Sequence, residues 1–88
     1  MHTHKLKSWP EFFKAIRDGD KLHDVRRTDR DFQVGDLIIF EEWDPILEKY
    51  TGLAVTRQIT YITSADLPCP LFENAISKGF CILSIDMP

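Results

Sequence analysis

The segment from Gly19 to Arg30 holds four cations (Lys21, Arg26, Arg27, Arg30), three carboxylates (Asp20, Asp24, Asp29) and the imidazole of His23. Only two apolar side chains, Leu22 and Val25, lie among them. Opposed charge at this density loses hydration if it enters a core. The segment must therefore face water or line a ligand cleft. At 88 residues the chain supports one domain with one small core, expected over residues 1–88. Lys21 to Arg27 reads as a strand, so the fold must leave that strand at a surface or a cleft.

On a strand, Asp24 and Arg26 share a face, about 6.6 Å apart along the chain. Lys21 has the opposite parity unless a bulge or the strand start near Gly19 turns it inward. An Asp and an Arg on one concave face form a ligand-reading pair. The carboxylate accepts from a base amino group or fixes the arginine, and the guanidinium forks onto a phosphate or carbonyl. The competing reading is an ion pair that closes a barrel mouth and binds nothing.

The remaining elements follow from local signals. His4 to Lys7 reads as a short first strand. Ser8-Trp9-Pro10-Glu11 predicts a helix start, with Ser8 as cap, Glu11 reaching back and proline in the first turn. Trp9, Phe12, Phe13 and Ile16 recur at helical spacing and are expected in the core. Gly19 is the predicted helix stop. Val34-Gly35-Asp36 predicts a tight turn into the strand Leu37 to Trp43. Asp44 to Gly52 reads as a loop. Leu53 to Thr63 alternates as a long strand, with Arg57 interrupting its apolar face. Pro68-Cys69-Pro70 breaks it, Leu71 to Lys78 predicts a short helix stopped by Gly79, and Phe80 to Ile85 a closing strand. Short strands with one main helix bury a small core best as a curled or closed mixed sheet. The expected class is α+β, a small mixed β-barrel with one main helix packed across it. An open α+β sandwich is the alternative.

Composition narrows the function. Hydrophobic content of 43% and charged content of 28% fit a folded globule and not a disordered tail. No apolar run approaches the roughly 20 residues of a membrane helix, and the first residues carry no apolar stretch of a signal peptide. No membrane association and a cytoplasmic address are expected. Net charge is −3, which argues against a generic polyanion binder, but the charge is uneven. Residues 1–30 hold eight Lys/Arg against five Asp/Glu, and residues 31–88 hold three against nine. One end can present a positive face while the rest repels non-specific polyanion. Cys69 and Cys81 lie far in sequence from His2, His4 and His23 and read as buried, reduced hydrophobes. His2 and His4 sit at a terminus prone to fraying. Neither a metal site nor a cofactor is expected. His23, opposite in parity to Asp24, reads as a surface residue.

The signature Gly19-x-Lys21-x-x-Asp24-x-Arg26 resembles the G-x-K-x-x-E-x-R signature of ASCH domains, within the PUA-like superfamily. The frame around it is similar too. His4-x-Leu6-Lys7, Trp9-Pro10-x-Phe12-Phe13 and Arg26-x-x-Asp29-Arg30-Asp31-Phe32-x-Val34-Gly35-Asp36 resemble a compact bacterial and phage subfamily of that group. The specific likeness covers residues 4–43. It implies a PUA-like barrel whose cleft is lined by Lys21, Asp24 and Arg26, and a role in RNA binding or modified-nucleotide chemistry. Some ASCH proteins hydrolyse the amide of N4-acetylcytidine. They resemble this chain at Lys21 but carry threonine at the position of Asp24, and they use a later glutamate, for which Glu41, Glu42 and Glu73 are the candidates here.

Two functions are therefore expected to compete. In the first, a cleft binds RNA or a nucleotide, with Lys21, Arg26, Arg27 and Arg30 on phosphate and Asp24 reading a base edge. Trp43 stacks a base at the rim or packs at the sheet edge. In the second, a small amidohydrolase uses Lys21, which requires burial or a neighbouring cation to free its amine. Arg26 and Arg27 supply such cations, but Asp24 opposes them, so the charge balance favours binding over catalysis. A protein-interaction domain is the third reading.

Overall fold

The computed structural model describes residues 1–65 and 76–88. Its elements run β1 (Thr3–Ser8), α1 (Pro10–Arg17), β2 (His23–Arg27), β3 (Leu37–Asp44), β4 (Lys49–Ser64) and β5 (Phe80–Asp86). The strands form one sheet in the order β1-β3-β4-β5-β2. β1 runs parallel to β3, and the other pairings are antiparallel. The sheet curls into a half-barrel, and α1 packs against β3. The expected α+β class, barrel-like with one helix, holds in this form.

Strand alternation builds the core. Ile38 and Phe40 of β3, and Cys81, Leu83 and Ile85 of β5, are buried, as are Leu6 and Ile59. Phe13 and Ile16 close the core from the helix. Trp9 and Phe12 were expected beside them but are 55% and 48% exposed. The helix has only eight residues and buries one narrow stripe, so its N-terminal aromatics overhang the sheet end instead.

The helix start also differs from expectation. The N-cap is Trp9, and no side chain among the described residues makes a capping hydrogen bond there. Ser8 is the last residue of β1, in register with Glu42. Its side chain follows strand alternation to the buried face that Leu6 shares, away from the helix amides. The C-terminal end is as expected: Gly19 adopts φ +82°, and its N–H donates to Ile16 O at 3.2 Å. Arg57, the charge within the alternating apolar strand, extends from β4 and donates from Nη2 to Ile16 O (3.2 Å) and Arg17 O (3.3 Å). It neutralises the carbonyl end of α1.

Residues 44–52 are mostly not a loop. β3 and β4 continue as a hairpin to Asp44 and Lys49, leaving a turn of residues 45–48. Asp44 Oδ1 accepts from the amides of Ile46 (2.9 Å) and Leu47 (3.1 Å), and the paired rings of Trp43 and Tyr50 meet edge-on at 5.0 Å. A side-chain-nucleated turn and a cross-strand aromatic pair hold the extension together. The helix expected over Leu71 to Lys78 lies largely outside the described residues, as do Cys69 and Glu73. Residues 76–79 form a bend and a turn before β5.

The Val34-Gly35-Asp36 turn anchors the N-terminus. The Asp36 carboxylate is buried and accepts from the amides of His2 (3.0 Å) and Gln33 (3.1 Å) and from His4 Nε2 (2.8 Å). The His2 amide and then the His4 ring lower its pKa from 3.8 to about 2, against the opposing effect of burial.

β1 and β2 are the two ends of the sheet, and no backbone ladder joins them. Two arginines span the seam. Arg26 Nη2 donates to Lys7 O (2.8 Å) and Arg30 Nη1 to Lys5 O (3.1 Å). These carbonyls are two residues apart and so point to one side of β1. Closing the half-barrel by side chains leaves room for a cleft along the seam.

Candidate functional site

A cavity of about 620 Å³ opens at the end of this seam. Lys21, Asp24 and Arg26 all line it, so the three signature residues converge. Lys21 escapes the parity of the strand because β2 begins only at His23. The chain leaves the Gly19 turn with the amides of Asp20 and Lys21 both bonded to Ala15 O, at 2.9 and 3.0 Å, and Lys21 is directed inward before alternation begins. Lys21 Nζ lies 3.0 Å from Asp24 Oδ1, and Arg26 Nε donates to Asp24 Oδ2. The Asp24 side chain is 8% exposed, against 19% for Lys21 and 25% for Arg26. The carboxylate is thus a buried hub holding two cations in place, and both cations retain access to the cavity. The ion-pair arrangement and the cleft coexist.

The cavity has an aromatic side that sequence reasoning assigned to the core. Trp9 and Phe12 line it, and Lys21 Nζ lies 5.4 Å from the Phe12 ring centroid. From β1 it receives Lys7 and Ser8, and from β2 also His23 and Val25. Lys7 and Ser8 were not singled out as site residues. The strand end against a helix start was visible, but nothing local showed that β1 lies across the seam from β2. His23 is exposed, as expected.

Arg27 and Arg30 lie elsewhere. With Val25, Arg26 and Phe80 they border a second depression of about 300 Å³. Arg27 Cζ lies 5.3 Å from the Phe80 ring centroid. Val25 and Arg26 belong to both concavities, so the two lie side by side along the seam. Trp43 borders neither of them. Its ring meets Tyr50, and the Lys7 ammonium sits 3.7 Å from its centroid, a cation–π contact. Glu41 and Glu42 do not line the cavity either, and Glu42 accepts from Thr51 Oγ1 at 2.8 Å.

Cys81 of β5 is buried, in register with Arg26 on the neighbouring β2. Burial pushes its thiol pKa up, and the charges of Asp24 and Asp29 add to the shift. Among the described residues, no group of three or more His, Cys, Asp or Glu is placed to hold a metal ion. No helix among them is long and apolar enough to cross a membrane.

The sequence of this chain has relatives among known proteins. A phage protein described as "Uncharacterized 12.9 kDa protein in GpA 3'region", from Escherichia phage P2, is 32% identical to this chain over 60 residues. The match covers 68% of this chain and 53% of the phage protein, so the likeness spans about half the length of that curated relative. Residues 3–85 match a family model described as "Domain of unknown function (DUF3850)", a span that takes in the helix, both concavities and all five described strands but for the last residue of β5, and the chain belongs to that family.

Proposed function

We propose that the chain is an RNA- or nucleotide-binding module whose ligand enters the seam cavity. One observation carries this reading: a carboxylate, two cations and two exposed aromatic rings converge on one concave site of about 620 Å³. A site of that size suits a small organic ligand, with an apolar wall for the ring and a few polar groups for orientation. Trp9 and Phe12 offer faces for stacking a base, which is sequence-tolerant because every base has a π-face. Lys21 and Arg26 offer charge to phosphate or carbonyl oxygens, and Asp24 offers its remaining acceptor capacity to a base amino group. The adjoining depression supplies Arg27 and Arg30 for a flanking phosphate. The likeness of the Gly19-to-Arg26 signature to ASCH domains and the barrel-like sheet support the same reading.

The hydrolytic alternative is less favoured. The Lys21 amine is engaged with a carboxylate at 3.0 Å, and an amine held as an ion pair is a poor nucleophile or base. Titration with the four ribonucleoside monophosphates and with short single-stranded RNAs at low salt tests the proposal. Binding is expected to weaken with salt, and Arg27→Ala to flatten that dependence, by about 0.7 in log–log slope for one lost phosphate contact. No binding to any of these probes refutes it. Turnover of N4-acetylcytidine that disappears in Lys21→Ala would replace it with the hydrolase reading.

A further inference from the structure

We infer that Ser8 is a ligand-reading residue of the seam cavity, its hydroxyl hydrogen-bonding a polar edge of the bound base. The inference rests on the nucleotide-binding reading above. Ser8 is 4% exposed, and its Oγ is buried with no hydrogen-bond partner among the described residues. A hydroxyl enclosed in this way is costly compared with an alanine methyl at the same place. The usual use of a serine before Pro-Glu, capping a helix, is absent, because Trp9 takes the cap position. What remains is a donor and acceptor on the inner face of β1, on the wall of the cavity that Lys21, Asp24 and Arg26 also line.

The neighbours define the ligand. Trp9 and Phe12 follow Ser8 in the chain and line the same cavity, so a flat ring stacked on either lies within one cavity with the β1 end that carries Ser8. A hydroxyl both donates and accepts. It can therefore meet a ring carbonyl, a ring nitrogen or an exocyclic amino group, whereas Asp24 only accepts and Lys21 and Arg26 only donate. Ser8 adds a group that can adapt to the ligand's edge, and thereby contributes to discrimination among bases.

The test compares wild type with Ser8→Ala and the near-isosteric Ser8→Cys, titrating each with the four ribonucleoside monophosphates and recording a thermal melt. Removing an unpaired buried hydroxyl is expected to leave the melting temperature unchanged or raised. The same change should weaken the best-bound nucleotide by about 3- to 10-fold, the scale of one neutral hydrogen bond, and compress the differences among the four. Ser8→Cys, a poor hydrogen-bonder, should follow Ser8→Ala. Opposite directions for stability and affinity exclude a merely structural serine, which would lower both. Nucleotide binding within twofold of wild type in both variants, with the ranking kept, overturns the role of Ser8 and leaves the nucleotide-binding reading standing. Absence of binding in wild type itself overturns both.

Discussion

In Asp24→Asn the carboxylate between Lys21 and Arg26 becomes an amide of nearly the same shape. The side chain is 8% exposed, and both its oxygens are engaged by cations. Breaking a fully buried pair costs about 3–5 kcal/mol, because the surviving charge is stranded. Here the stranded groups keep 19% and 25% exposure, which lets them turn partly into water. The amide oxygen also still accepts one hydrogen bond. The cost is therefore set at about 2–3 kcal/mol. For a domain of this size each kcal/mol shifts the melting temperature by about 4–8 °C, so a fall of roughly 10–20 °C is expected. Circular dichroism melts at neutral pH measure it. A double-mutant cycle with Arg26→Met should give a coupling of about 1–3 kcal/mol, since the second change removes one of the stranded charges. A melting-temperature loss under about 3 °C, with no coupling, would refute the view of Asp24 as a buried hub and leave it as a surface-like reader of ligand alone.

Two further expectations concern groups away from the cavity. The Asp36 carboxylate, with its pKa lowered from 3.8 to about 2, contributes stability that is fully present above pH 4 and is lost as pH falls toward 2. Asp36→Asn, which strips that charge from its three donors, should cost about 1–3 kcal/mol at neutral pH and flatten the acid-side loss of stability; an unchanged acid titration curve would contradict the assignment. Cys81, buried and with its thiol pKa raised, should resist an alkylating reagent in the folded protein and react after denaturation. Peptide mapping by mass spectrometry distinguishes the two, and rapid native labelling of Cys81 would show that β5 opens readily.

Much of the fold was readable because its signals are local. Apolar runs mark β3 and β5, apolar alternation marks β4, and the charged strand after Gly19 marks β2, as the structure bears out. The readings that failed depend on what lies opposite. Ser8 looked like a helix cap by spacing, yet β1 ends on it and points its side chain inward. Trp9 and Phe12 have the spacing of a core stripe, but the sheet below them ends at the seam. Asp44 to Gly52 carries turn residues, and the cross-strand contact of Trp43 with Tyr50 turns most of it into hairpin.

The sequence by itself determined the strand and helix types, the Gly19 reversal and the concentration of charge between Lys21 and Arg30, because periodicity, left-handed backbone preference and desolvation act over a few residues. It also determined that Asp24 and Arg26 share a face. Only the tertiary structure decided that β1 and β2 end up as facing edges, joined by Arg26 and Arg30 instead of a backbone ladder. That choice brings Lys7 and Ser8 across to the signature strand, separates Arg27 and Arg30 into a neighbouring depression and leaves Trp43 against Lys7. The physical reason is sheet curvature: which edges meet depends on pairings as distant as Phe40 with Val55 and Asp24 with Leu83, and no local pattern along the chain encodes them.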